Sequence, residues 1–284
     1  MSELLNRFKV NAQYFLPKKA ISRVTGKLAS AKLGKTTQFL IEQFIKQYNV
    51  DMSEAEIQDI TKFETFNDFF TRALKKGARP VAKAGIVSPA DGMISELGEI
   101  YKDAVLQAKG HYYSLEALLG GDEKDAKCFQ SGNFVTIYLS PSDYHRVHMP
   151  LDGKLKKMVF VPGDLFSVNP LTAKNVDNLF ARNERVVCFF ENDEIGEFAV
   201  VLVGATIVAS IETVFAGVVA PSAGKEKTIY DYSKDNIVIK KGAELGRFLL
   251  GSTVVCVFPK GKVKFDKAIK PELKVKVNQA LANM

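Results

Sequence analysis

Beyond about residue 85, short apolar runs rich in Val, Ile and Phe alternate with clusters of Gly, Pro, Asn and Asp. Runs at 134–139, 155–161, 186–190, 198–203, 206–214, 236–239, 246–258 and 273–277 predict strands, with helices expected near 114–119 and 171–181. Residues 1–80 follow another period. Ile21, Val24, Leu28 and Ala31 share one helical face, with Lys19, Arg23 and Lys27 opposite. Ile41, Phe44, Ile45 and Tyr48 repeat the pattern. Ser53 with Glu56, and Thr65 with Asp68, have capping-box spacing. Phe66, Phe69, Phe70 and Leu74 form a stripe that core packing explains better than membrane insertion. The chain thus reads as α+β: a mainly antiparallel β body over 81–284 behind an N-terminal helical region over 1–80, with the boundary at Gly77–Pro80.

Charge changes this picture at one end. Residues 1–35 carry eight Lys/Arg against the single acid Glu3, which equals the whole net charge of +7. A second basic stretch runs from Lys260 to Lys276. Basic side chains opposite an apolar helical face suit an anionic membrane surface, and the helical region is expected to associate with one. Nucleic acid is not expected as a partner, because the arm lacks interleaved stacking aromatics and no reader motif is present. The longest apolar stretch, Phe198 to Ile211, is too short for a spanning helix and is bounded by Glu197 and Glu212, so no transmembrane segment is expected, and no signal peptide is read. Cys128, Cys188 and Cys256 are odd in number and far apart, which argues against a disulfide framework and for a reducing compartment. Three histidines and no acidic pair at ligand spacing predict no metal site.

Three segments carry candidate chemistry. In Leu250-Gly251-Ser252-Thr253, a Gly-Ser step interrupts the apolar run from Phe248 to Phe258. Gly251 lets the backbone strain and its carbonyl be approached closely, and Ser252 can attack that carbonyl. Val87-Ser88-Pro89-Ala90-Asp91-Gly92 places an acid in a tight turn. Tyr144-His145-Arg146-Val147-His148-Met149-Pro150 holds two of the three histidines. Serine needs a base, and a histidine oriented by a carboxylate supplies one. A serine hydrolase acting on lipid fits the same residue types, although no Gly-x-Ser-x-Gly elbow is present. A non-catalytic β domain docking on membranes fits the charge.

These segments, with Phe66-Asn67-Asp68-Phe69-Phe70-Thr71-Arg72, Ala78-Arg79-Pro80, Tyr113 to Gly120 and Arg182-Asn183-Glu184-Arg185 in that order, resemble the pyruvoyl-dependent phosphatidylserine decarboxylase family. The resemblance runs from about residue 15 to the C-terminus. It implies self-cleavage between Gly251 and Ser252, giving a large chain 1–251 and a small chain 252–284 that stay together as a heterodimer, with higher oligomers open. It implies that Ser252 becomes a pyruvoyl cofactor, which decarboxylates phosphatidylserine to phosphatidylethanolamine through a Schiff base. His148 and Asp91 are assigned to the cleavage triad, and His145 to proton transfer at Cα. A strand would put His145 and His148 on opposite faces, whereas Pro141 and Pro150 favour a loop that lets both reach one pocket. The loop Pro162 to Pro170 is the candidate substrate contact, through Phe166, Val168 and Asn169; His111 is read as structural or at the pocket edge. A lipid substrate implies a peripheral protein on the cytoplasmic face of the cell membrane.

Overall fold

The computed structural model describes residues 10–108, 110–206, 210–220, 224, 226–249 and 252–284. Its architecture is α+β with mostly antiparallel sheets. Helices occupy 10–15, Lys18–Ala29, Lys35–Tyr48 and Phe66–Phe70 before the first strand. The last of these opens on a true capping box: Thr65 Oγ1 accepts from Asp68 N–H at 3.1 Å, and Asp68 Oδ2 accepts from Thr65 N–H at 2.9 Å. It ends at Phe70, and Leu74 bridges Ala55 instead of extending the stripe. Phe69 and Phe70 are buried, as core packing requires. Ser53 starts no helix; its N–H is held by Asp51 Oδ1 at 2.8 Å, and Ala55 is committed to the bridge.

A large central sheet organises the rest. Its strands lie in the order Thr228–Asp231, Gly153–Val161, Arg185–Asn192, Gly196–Val203, Ser252–Phe258, Asn133–Leu139, Gly92–Glu99 and Lys274–Val275, all antiparallel, with Val238–Ile239 also on Gly153–Val161. Strand periodicity sends alternate residues to opposite faces. Val255, Val257, Val201 and Val187 pack with Ile41, Phe69, Phe70, Leu118 and Phe180 on the helical side. Val254, Cys256, Phe258, Leu202 and Ile137 pack with Val147, Phe248, Leu245 and Leu281 on the other. The helical segment therefore shares one core with the sheet. Both faces being covered explains why these strands read as continuous apolar runs.

The second face is closed by two small sheets. One is ordered Gly217–Ala220, Ile211–Thr213, Glu244–Phe248, Arg146–His148; the other Ile86–Val87, Ala280–Asn283, Lys264–Phe265. Three expectations change here. The run 246–258 is two strands in two sheets, Glu244–Phe248 in the small one and Ser252–Phe258 in the centre of the large one, so the chain crosses between layers just before Ser252. Within 206–214 only Ile211–Thr213 is a strand, while 207–209 lie outside the described residues. The region 171–181 is two short helices, Pro170–Ala173 and Leu179–Arg182, separated at Asn178 by a left-handed backbone (φ 57°).

Candidate active site

Ser252 is the first residue of its strand and is paired with Leu139, the last residue of Asn133–Leu139. It is fully buried, and among the described residues its Oγ has no hydrogen-bond partner. A buried hydroxyl without a partner costs about 1–3 kcal/mol, so the position is unusual for serine. Gly251 and Leu250 lie outside the described residues.

From Leu139 the chain turns through Ser140 to Tyr144 and enters the strand Arg146–His148. The expected loop is thus a strand at its end, held by pairing with Glu244–Phe248. Burial alternates from His145 to Met149, with 145, 147 and 149 buried and 146 and 148 half-buried. The two histidines accordingly take opposite sides. Pro141 and Pro150 flank the strand without interrupting it.

His145 is fully buried against Phe70, ring centroids 4.1 Å apart. Its Nδ1–H donates to Asp143 O at 2.8 Å, which fixes the tautomer and leaves Nε2 as the basic atom; Nε2 has no partner. Desolvation pushes the His145 pKa down to about 3, with Arg72 adding to the shift and the Asp143 carbonyl opposing it. His148 has the same tautomer. Its Nδ1–H donates to Gly242 O at 2.8 Å, and its Nε2 accepts from the Tyr144 hydroxyl at 3.1 Å. Burial lowers its pKa, against the Gly242 bond and the carboxylates of Glu244 and Asp91. Both imidazoles are therefore neutral at pH 7, each with Nε2 as the basic nitrogen.

Asp91 ends the turn that begins at Ser88, whose Oγ donates to Ala90 O at 2.8 Å. Gly92 follows because a Cβ there would meet Tyr138 O at 2.4 Å. The Asp91 carboxylate is held by Arg79 at 3.0 and 2.5 Å and by Val277 N–H at 2.7 Å. Arg79 also forks onto Glu54 at 2.9 Å. Burial alone would lower the Arg79 pKa; its bonds to Asp91 and Glu54 outweigh that and raise it. The link from this turn to the histidine strand is backbone, His148 N–H to Pro89 O at 2.7 Å. Orientation of His148 by a carbonyl, and of Asp91 by an arginine, was not legible in the sequence. Arg79 and Tyr144 stand in the Ala78–Pro80 and Tyr144–Pro150 motifs, which give neither a role, and Gly242 carries no side-chain signal.

The Pro162 to Pro170 loop tucks inward. Phe166 and Val168 are buried in the helical-side core. Asn169 Oδ1 caps the next helix through Thr172 N–H at 2.8 Å. Tyr14 covers the Phe166 ring at 4.9 Å and Lys18 Nζ lies 3.5 Å from its centroid. Gln13 reaches over to Ser167 N–H at 2.9 Å and Thr172 Oγ1 at 3.2 Å. Asn183 clamps the loop from behind, through Phe166 N–H and O and Gly204 O. Arg185 in turn donates to the carbonyls of Leu118, Ala181, Asn183 and Ala117. The Arg182–Arg185 motif is thus a brace for this loop. His111, in a 2.8 Å pair with Asp177, stands apart from these groups.

Comparison with known proteins gives this site its context. The family model described as phosphatidylserine decarboxylase matches residues 66–283, and a second, described as PSD, matches 8–49. Over 256 residues the chain is 60% identical to a phosphatidylserine decarboxylase proenzyme of Pseudoalteromonas translucida, covering 88% of each chain. It is 54% identical to the proenzyme of Shewanella denitrificans over 99% of both. The proenzyme of Vibrio parahaemolyticus is 55% identical, over 92% of this chain and 93% of its own. A buried serine and a strand carrying two histidines are compatible with several lytic chemistries; the chain belongs to the phosphatidylserine decarboxylase family. It is a carboxy-lyase.

Proposed function

We propose that this chain is made as a proenzyme, cuts itself between Gly251 and Ser252, and uses the group formed at Ser252 to decarboxylate phosphatidylserine to phosphatidylethanolamine. The observation that carries this reading is the buried, unpartnered Ser252 Oγ at the point where the chain leaves one sheet for another. The bond from Oγ to the Gly251 carbonyl carbon forms as the peptide bond from that carbon to Ser252 N breaks, and the Oγ proton passes by way of a base to the departing nitrogen. Loss of the Cα proton then breaks the Cβ–O bond, freeing the Gly251 carboxylate. Water replaces the nitrogen at Cα and ammonia leaves. A pyruvoyl carbonyl there supplies the electron sink for loss of CO₂.

His148 is the base in this reading, its Nε2 made basic by the Gly242 carbonyl and its protonated form favoured by Asp91. His145, on the other side of the strand from His148, is the proposed donor of a proton to Cα after CO₂ leaves. A second reading makes His145 the cleavage base, favoured by its unpartnered Nε2. Intact-mass measurement separates them. Ser252→Ala stays one chain. His148→Ala stays uncut and His145→Ala cuts but turns over about 10²- to 10⁴-fold more slowly, or the reverse pattern assigns His145 to cleavage. A wild-type chain that keeps its full mass overturns self-cleavage.

The substrate also implies a surface. Among the described residues no helix is long and apolar enough to cross a membrane. The protein is instead peripheral, on the cytoplasmic face of the cell membrane, with Val24, Leu28, Phe39 and Leu40 presented outward beside Arg23 and Lys27. Phe166 and Val168 would meet acyl chains once the 10–18 segment moves off them, with Asn169 at the same edge. Replacing Arg23 and Lys27 with Glu weakens co-sedimentation with anionic vesicles; equal binding to neutral vesicles overturns the arm as anchor.

A further inference from the structure

Arg72, the last residue of the Phe66–Arg72 motif, is 95% buried by its 5% relative exposure, yet makes no ion pair among the described residues. Among the described residues its Nε has no hydrogen-bond partner, its Nη2 makes one long bond, 3.3 Å, to Ser142 O, and its guanidinium carbon lies 5.5 Å from the Phe69 ring centroid. It lines a cleft of about 350 Å³ together with Lys62, Thr71, Arg146 and Arg247. The other two arginines are committed: Arg146 to Glu244 at 2.9 Å and to Thr71 O at 2.9 Å, Arg247 to Glu212 at 3.0 and 2.8 Å. Of the three acids of the cleft, Asp68 is engaged by the Thr65 cap and Glu64 by Lys32, while Glu56 is exposed to solvent. Three carboxylates act on Arg72 from a distance, and each is bonded elsewhere: Asp91 to Arg79, Asp143 to Ser140 N–H, Asp51 to Ser53 N–H. Burial lowers the Arg72 pKa against these carboxylates. A buried guanidinium with an idle N–H is a poor structural element and a good anion receptor, since its fork matches two oxygens of a phosphate or carboxylate.

The cleft borders the proposed reaction site through sequence neighbours. Phe70, two residues before Arg72, lies on His145, and Arg72 itself is near enough to act on the His145 charge. We propose that Arg72 binds the phosphodiester of the serine phospholipid and so sets the head group beside His145. The phosphate is the better ligand of the two anions in the head group. Holding the carboxylate in an ion pair would stabilise the reactant over a transition state in which its charge moves towards Cα, which slows decarboxylation. This assignment rests on the reading of Ser252 as the reactive position.

Steady-state kinetics of the full-length protein on phosphatidylserine in mixed micelles test it, with rates normalised to the cleaved fraction found by intact mass. Arg72→Gln should raise KM about 10- to 100-fold, the range for charge-assisted hydrogen bonds, with a smaller change in kcat. Arg72→Lys keeps the charge without the fork and should raise KM about tenfold; it carries the test if the glutamine variant does not fold or cut. Inorganic phosphate, at ionic strength matched with chloride, should compete with the lipid in the wild type and not in Arg72→Gln. A wild-type KM in a cut variant overturns the proposal. Phosphate competition that Arg72→Gln abolishes while KM stays unchanged assigns the site to free phosphate and overturns the lipid. A wild-type chain that does not cut overturns the Ser252 reading and is seen separately, in the mass alone.

Discussion

The strand Ser252–Phe258 and the helix Lys18–Ala29 are both amphipathic or apolar, yet they bury opposite things. Every side chain of the strand is buried, because sheet neighbours flank it and both faces are covered. In the helix the buried residues are Ser22 and Ala29, while Val24 and Leu28 are 60% and 55% exposed. Small residues face the body, where the segment approaches closely enough for Asn67 to donate to Ser30 Oγ at 2.9 Å. The same residue types thus hold the fold together in one region and are left for an outside surface in the other.

Stability measurements should widen that contrast. Phe258→Ala removes a fully buried ring from the second-face core and should lower unfolding free energy by about 3–5 kcal/mol in denaturant titration. Arg185→Met leaves four carbonyls without their donor and should cost about 2–4 kcal/mol by the same measurement. Acidification should act through His145. Its folded pKa, about 3, lies below the ordinary 6.5, so the unfolded chain takes up a proton that the fold refuses. Stability is then lost as pH falls from about 6.5 towards 3, by roughly 2–4 kcal/mol, and His145→Gln should flatten that part of the profile. At the small end, Val24→Ser with Leu28→Ser should change stability by no more than about 0.5 kcal/mol while weakening vesicle binding. A large destabilisation there would show the outward face to be part of the core.

Strand periodicity located most of the central sheet, since Val and Ile runs bounded by turn residues have one physical meaning. Apolar pattern reports burial, though, and not which neighbour does the burying. It could not show that 246–258 is shared between two sheets. Residue type made Ser252, His145, His148 and Asp91 legible as candidates for the proposed chemistry. The groups that orient them were not, because the Gly242 and Asp143 carbonyls carry no side-chain signature. Asn169, expected as a substrate contact, also caps a helix through its Oδ1, a use that loop composition does not signal.

The place of Ser252–Phe258 in the middle of the sheet also fixes an order of events. The segment 252–284 supplies that interior strand, the edge pair Lys274–Val275, and Ala280–Asn283 in a different sheet. A break before Ser252 would leave this piece interwoven with the rest, held at three separate seams without a covalent tie. Such a product is easy to make from a folded chain and hard to make from two fragments, because a central strand must be present when its neighbours close around it. Cutting would thus be a one-way mark of having folded once, and a denatured mature protein should recover far less activity than a denatured proenzyme.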